Sequence, residues 1–158
     1  MKKNLNHIGL EQTAGIDLAQ KLNLLLANYQ VFYSNVRGFH WNIKGEKFFE
    51  LHLKFEELYN NLQLKIDEVA ERILTLGETP LHTYSDYLSQ SAIAEVRNVT
   101  EGRTAVSEIL SSLKTLLIQQ RVLLNAAEEA NDEGTNALMS DYIREQEKLV
   151  WMYGAYLR

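Results

Sequence analysis

A single proline, Pro80, stands among 158 residues, and the long stretches on either side of it repeat apolar side chains every three or four positions. Proline removes a backbone donor and clashes with the preceding turn, so a chain this poor in it can run long helices without interruption. Four such segments carry helical periodicity, and none alternates as a half-buried strand would. The first spans Glu11 to His40, with Ile16, Leu18, Leu22, Leu25, Leu26, Tyr29, Phe32, Tyr33 and Val36 on one face. The second spans Glu46 to Leu76, where Gly77 supplies a C-cap and Pro80 blocks resumption. The third opens at Thr100 or Glu101 and reaches Ala130; the fourth opens between Asp132 and Thr135 and runs to the C-terminus.

The links between these segments set the topology. A few residues around Lys44-Gly45 join the first pair, and "NDEG" joins the last, so each pair is antiparallel. The middle link, "GETPLHTYSDYLSQSAIAEVRNV", is far longer, and its "SDYLSQ" reads as a short helix. A helix of some thirty residues is about 45 Å long. A link of this size can travel that length and leave the second and third long helices parallel. The expected fold is therefore all-α: a ferritin-like four-helix bundle with one long crossover carrying a short helix between helices 2 and 3. Residues 1–158 form one domain in this reading, with 1–10 a short flexible tail.

With no cysteine, neither a disulfide framework nor a thiolate metal site is available. The net charge of −5 argues against the broad positive field that attracts nucleic acid, leaving only Lys2 and Lys3 as a small basic tail. No apolar leader and no membrane-spanning run is present, so the cytoplasm is the default expectation.

Metal chemistry concentrates on the second helix. With His52 at zero on a helical wheel, Glu56 falls near 40°, Asp67 near 60° and Glu71 near 100°, at about 100° per residue. The core face, from Phe48 and Leu51 to Val69 and Ile73, centres near −70° by the same rule. Most polar stripes of this kind are solvated charge. Here Phe49, Leu53, Leu64 and Leu74 share or border the stripe and face away from their own core, which calls for another partner, most simply a second subunit. His52 and Asp67 lie 15 residues apart, about 22 Å along the axis, whereas first-row metals take ligands at about 2.0–2.3 Å. No single ion joins both pairs in one chain. Two antiparallel copies solve this, because His52 with Glu71 and Glu56 with Asp67 share one midpoint near Asn61–Leu62, as an isologous dimer requires. Chance could also give that symmetry, since acidic residues are common on helices. His40, at the end of the first helix, can close over His52. Two imidazoles and three carboxylates suit Fe(II), Mn(II) or Zn(II) rather than Cu(I) or Ca(II). No Glu-x-x-His motif occurs, which disfavours a di-iron centre inside the bundle.

His40-Trp41, Gly45, "FFELH", the acidic residue at 56 and "IDEVAERILTLGETP" resemble the Dps family, the miniature ferritins also called DNA-binding proteins from starved cells. The likeness extends through the crossover to the C-terminal "KLVWMYGAYLR". It implies a hollow dodecamer built from two-fold dimers. Fe(II) would be oxidised at ferroxidase centres between subunits, preferably by hydrogen peroxide, and ferric mineral stored in the cavity, protecting DNA from oxidative damage. Carried over, His40, His52 and Glu56 come from one subunit, and Asp67 and Glu71 from its partner. Position 56 is more often Asp in the family, so the longer Glu56 shifts the expected metal position. Trp41 is implied as an interceptor of stray oxidising equivalents; filling the interface is an equally good role for it. The acidic turn "EEANDEG" resembles the family's pore linings, with Glu128 and Glu133 favoured by position and a solvated turn as the plainer reading. His7 and His82 are assigned to surface or loops. Two other readings remain: a DNA-compacting nucleoid protein, weakened by the net charge although tails on one cage add avidity, and a structural cage with a vestigial site.

Overall fold

The structure, a computed structural model, describes residues 4–158. Its helices are α1 (Gln12–Asn42), α2 (Phe48–Thr75), α3 (Tyr84–Gln90), α4 (Gly102–Glu129) and α5 (Glu133–Tyr156), and no named strand occurs among the described residues. Helix α1 packs along α2, α4 along α5, and α1 also meets α4 and the short α3. The fold is the expected all-α bundle with one long crossover.

Sequence chemistry ends each helix where it does. Gly77, at φ +94°, takes the left-handed conformation that side chains resist, and its N–H bonds the Leu74 carbonyl at 2.9 Å while Glu78 N–H bonds that of Ile73 at 3.1 Å. This double bond closes the carbonyl end of α2. Asn131 plays the same part after α4, its N–H reaching Glu128 and that of Asp132 reaching Ala127. Asp132 then caps α5 by accepting from Thr135 N–H at 3.0 Å, so a short turn reverses the chain between helices.

The core runs the length of the bundle and includes Leu22, Leu25, Phe32, Val36, Phe55, Leu62, Val69, Ile73, Ile109, Leu113, Leu123 and Met139. Burying one such side chain stabilises by about 1.5–3 kcal/mol, which is what makes the apolar stripes pack. At the end that carries His40, the link after α1 is tied to the entrance of α4 by Lys44 N–H on the Thr100 carbonyl at 2.9 Å. Gly102 permits that approach, since a Cβ there would meet Leu51 Cδ1 at 2.6 Å.

The crossover has little secondary structure, yet asparagines on α1 hold it. Asn23 accepts from Leu81 N–H and donates to the Thr79 carbonyl. Asn28 accepts from Ala92 N–H at 2.7 Å, and Asn35 accepts from Val96 N–H and donates to the Ala94 carbonyl. Buried backbone groups must find partners, and here side-chain amides supply them.

The tail expected over residues 1–10 is different in its described part. Asn4–Leu10 form a closed turn: Asn6 N–H bonds the Leu10 carbonyl at 2.8 Å, Gln12 N–H that of Asn4 at 2.8 Å, and the Asn6 amide reaches the Leu76 carbonyl at 3.5 Å. The Asn6 carboxamide also accepts from Ile8 and Leu10, a local bond that folds the backbone back on itself. Lys2 and Lys3 lie outside the described residues.

Candidate metal centre

His40 sits in the last turn of α1 and His52 in the second turn of α2, and the tight link between those helices lays one imidazole over the other. Their centroids are 3.8 Å apart and their planes 12° from parallel. Each Nδ1 bonds the backbone carbonyl of the other residue: His40 to His52 at 2.6 Å, His52 to His40 at 2.7 Å. A carbonyl only accepts, so each Nδ1 carries the hydrogen, and the lone pair of the uncharged form of either ring then lies on Nε2. A metal-binding histidine needs this arrangement, its far nitrogen anchored and its near one open. Phe48 stacks on His52 at 5.0 Å, and Tyr59 meets His40 edge-on at 5.3 Å, so aromatic packing fixes both ring planes. His40 is buried; His52 and Glu56, one turn on, are half-buried.

Asp67 and Glu71 are exposed further along α2 and are not brought to the histidines within the chain. Among the described residues, no three His, Asp or Glu side chains of one chain gather closely enough to hold a metal ion. Around the same stripe Phe49 is 83% exposed, Leu53 52%, Leu64 65% and Leu74 56%, an apolar surface without a partner in the monomer.

The centre of the bundle is organised oppositely. Tyr29 of α1 donates to Gln120 of α4, Gln120 donates to Gln146 of α5 at 2.7 Å, and Gln146 donates back to Tyr29 at 2.6 Å. This neutral ring is fully enclosed. Burial holds the Tyr29 phenol far above its ordinary value, and burial followed by the neighbouring Tyr29 does the same to Tyr142, whose hydroxyl donates to Glu68. Beside them Lys65, on the core side of α2, is buried against Asn61 and Glu145.

In the acidic turn, Glu128, Glu129 and Glu133 are exposed, whereas Asp132 is buried and bound by Arg72 at 2.6 Å. Arg72 also donates to Thr135, locking the end of α2 to the turn. His7 and His82 lie exposed in loops, the latter bonded to the Pro80 carbonyl. Tyr59, which packs on His40, is unmarked in the sequence except by its place two turns beyond His52 on the same face of α2.

The sequence profile of the ferritin-like domain matches residues 19–158. A crystal structure of a Dps protein from Vibrio cholerae superposes with a TM-score of 0.97 at 58% identity, covering 98% of this chain and 97% of that one; it is described as a member of a broad superfamily of ferritin-like diiron-carboxylate proteins. A DNA protection during starvation protein from Porphyromonas gingivalis is 42% identical over 156 residues, 99% of this chain and 98% of its own length. A Haemophilus influenzae protein described as uncharacterized is 62% identical over 148 residues, 94% of this chain and 92% of its own. The chain is thus a ferritin-like protein. Within that class it belongs to the Dps family.

Proposed function

We propose that this protein oxidises Fe(II) with hydrogen peroxide at centres shared between two subunits and stores the ferric product inside a dodecameric cage. The observation that carries the reading is the stacked histidine pair, with both Nδ1 atoms committed and both Nε2 atoms free. Membership of the Dps family supports iron storage and DNA protection at the family level.

The ferrous ion is substrate. His40, His52 and Glu56 would hold it from one side, and the partner subunit's Asp67 and Glu71 from the other, across the apolar face of Phe49, Leu53 and Leu64. Carboxylates favour the ferric product more than imidazoles do, so a mixed set both binds Fe(II) and assists its oxidation. Two ferrous ions give one electron each to one peroxide, which takes up two protons and leaves as two waters. DNA would be protected by removing both ingredients of radical chemistry. The exposed Glu128 and Glu133 would draw cations toward a pore at the α4–α5 turn. With a net charge of −5, DNA binding would be weak, and a gel shift at physiological salt would show little retardation. No helix among the described residues is long and apolar enough to cross a membrane, and a cytoplasmic setting fits the proposed task.

Stopped-flow mixing of the ferrous-loaded protein with peroxide tests the reading. His52→Ala and Asp67→Ala should each abolish the fast phase and leave the cage intact by light scattering. Random one-to-one mixing of the two variants should restore about a quarter of the sites, because each mixed dimer keeps one whole site of two. No recovery on mixing would refute a shared centre.

A further inference from the structure

We infer that Tyr59 and Tyr33 form a relay that carries an oxidising equivalent away from the histidine pair, and that the equivalent comes to rest on Tyr33 rather than on Trp41. The inference rests on the proposed ferrous oxidation.

A centre holding only one ferrous ion cannot give peroxide two electrons. It gives one, and the O–O bond then breaks into hydroxide and a hydroxyl radical, which attacks the nearest oxidisable side chain. Of the two aromatic rings packed on the histidine pair, Phe48 on His52 and Tyr59 on His40, only Tyr59 carries a phenolic hydrogen to give, and it meets His40 edge-on at 5.3 Å. Tyr59 in turn meets Tyr33 edge-on at 6.0 Å, from α2 across to α1. The radical takes the phenolic hydrogen of Tyr59 and becomes water. Tyr33 then passes an electron to Tyr59 and loses its own phenolic proton to solvent, while Tyr59 regains a proton. In sum one ferrous ion, one peroxide and the Tyr33 phenol yield one ferric ion, hydroxide, water and a neutral Tyr33 radical. The proton has an exit, since Tyr33 lines an open cavity of about 240 Å³ with Gln30, Ser34 and Glu95.

Arg37 decides where the relay stops. Its guanidinium carbon lies 4.8 Å from the Trp41 ring centroid and 5.2 Å from that of Tyr33. An oxidised indole is first a cation, and a guanidinium over its face opposes that charge. An oxidised phenol that has lost its proton is neutral, and its oxygen is an acceptor for Arg37 Nη1, 3.3 Å away. One residue thus disfavours the hole on Trp41 and favours it on Tyr33. Trp41 is 63% exposed and, one position past His40, lies about 100° round α1 from it.

The test is freeze-quench electron paramagnetic resonance on the assembled protein carrying less than one Fe(II) per centre, mixed with peroxide, with ring-deuterated tyrosine distinguishing tyrosyl from tryptophanyl radicals. The wild type should show a tyrosyl signal that Tyr33→Phe removes and Trp41→Phe retains. Tyr59→Phe should remove the Tyr33 signal while keeping the ring that packs on His40. Ferric absorbance is followed in the same samples. Fast oxidation with a signal that survives Tyr33→Phe, or that disappears in Trp41→Phe, overturns the relay alone; no oxidation by peroxide at all overturns the proposed function and the relay with it.

Discussion

Two groups of polar side chains, one fully buried and one at the edge of the core, sit in the same bundle and finish their hydrogen bonding differently. In the ring of Tyr29, Gln120 and Gln146, each member donates to one neighbour and accepts from the other. In the His40–His52 pair, each imidazole commits one nitrogen to a carbonyl and leaves the other free. A closed set of bonds fixes structure and offers nothing to a ligand. An open set is held just as firmly and still has lone pairs to give. On the proposed reading this chain's chemistry lies at the edge of the bundle, in a class of folds where carboxylate and histidine ligands often project into the middle.

The largest expected effect falls on the open set. Loss of an outer-shell partner typically costs about 10–100-fold in metal affinity or activity, so loss of the ligand proposed at His52, in His52→Ala, should slow ferrous oxidation by at least about 100-fold. Its thermal stability should change little, as calorimetry would report, because His52 is only half-buried. The closed set should behave in reverse. Tyr29→Phe strands two buried amides and should cost about 1–3 kcal/mol by chemical denaturation, with the oxidation rate unchanged. Combining Tyr29→Phe with Gln120→Leu and Gln146→Leu should cost less than the single change, because no group is then left unpaired. A triple variant worse than the single one would mean that the ring contributes through shape rather than through bonding.

The smallest effect is on pH dependence and sharpens the same contrast. Desolvation raises the folded pKa of Tyr29 above its unfolded value. Stability from keeping that phenol neutral is complete below about pH 10 and is lost as pH rises through the folded value. Alkaline unfolding should therefore be shallower in Tyr29→Phe than in the wild type above about pH 10, measured by circular dichroism. Tyr142 and Tyr153, also raised chiefly by burial, add to that slope.

The helices, their pairing and the crossover were legible in the sequence because one strong signal, apolar periodicity, reports each helix locally. The approach of His40 to His52 was legible too, since a short link forces the end of α1 against the start of α2. Gln120 and Gln146 carried no such signal. A glutamine on a helix is ordinarily a surface residue, and only the phenol of Tyr29, 117 positions from Gln146, makes its burial tolerable. Lys65 was hidden for the same reason, its buried ammonium depending on Glu145 across the bundle. The turn at Asn4–Leu10 was closer to hand, since an asparagine followed by a glycine three positions later can nucleate one, but its docking on Leu76 is a long-range matter.

The asparagines of α1 have a consequence for how the molecule comes into being. Asn23, Asn28 and Asn35 emerge during synthesis long before residues 79–96, so their amides wait in water, where an unpaired polar group costs nothing. In the folded chain they form a row of amides along α1, against which that later segment is bonded. The path between the two halves of the bundle is thus encoded in residues of the first helix as much as in the crossover itself.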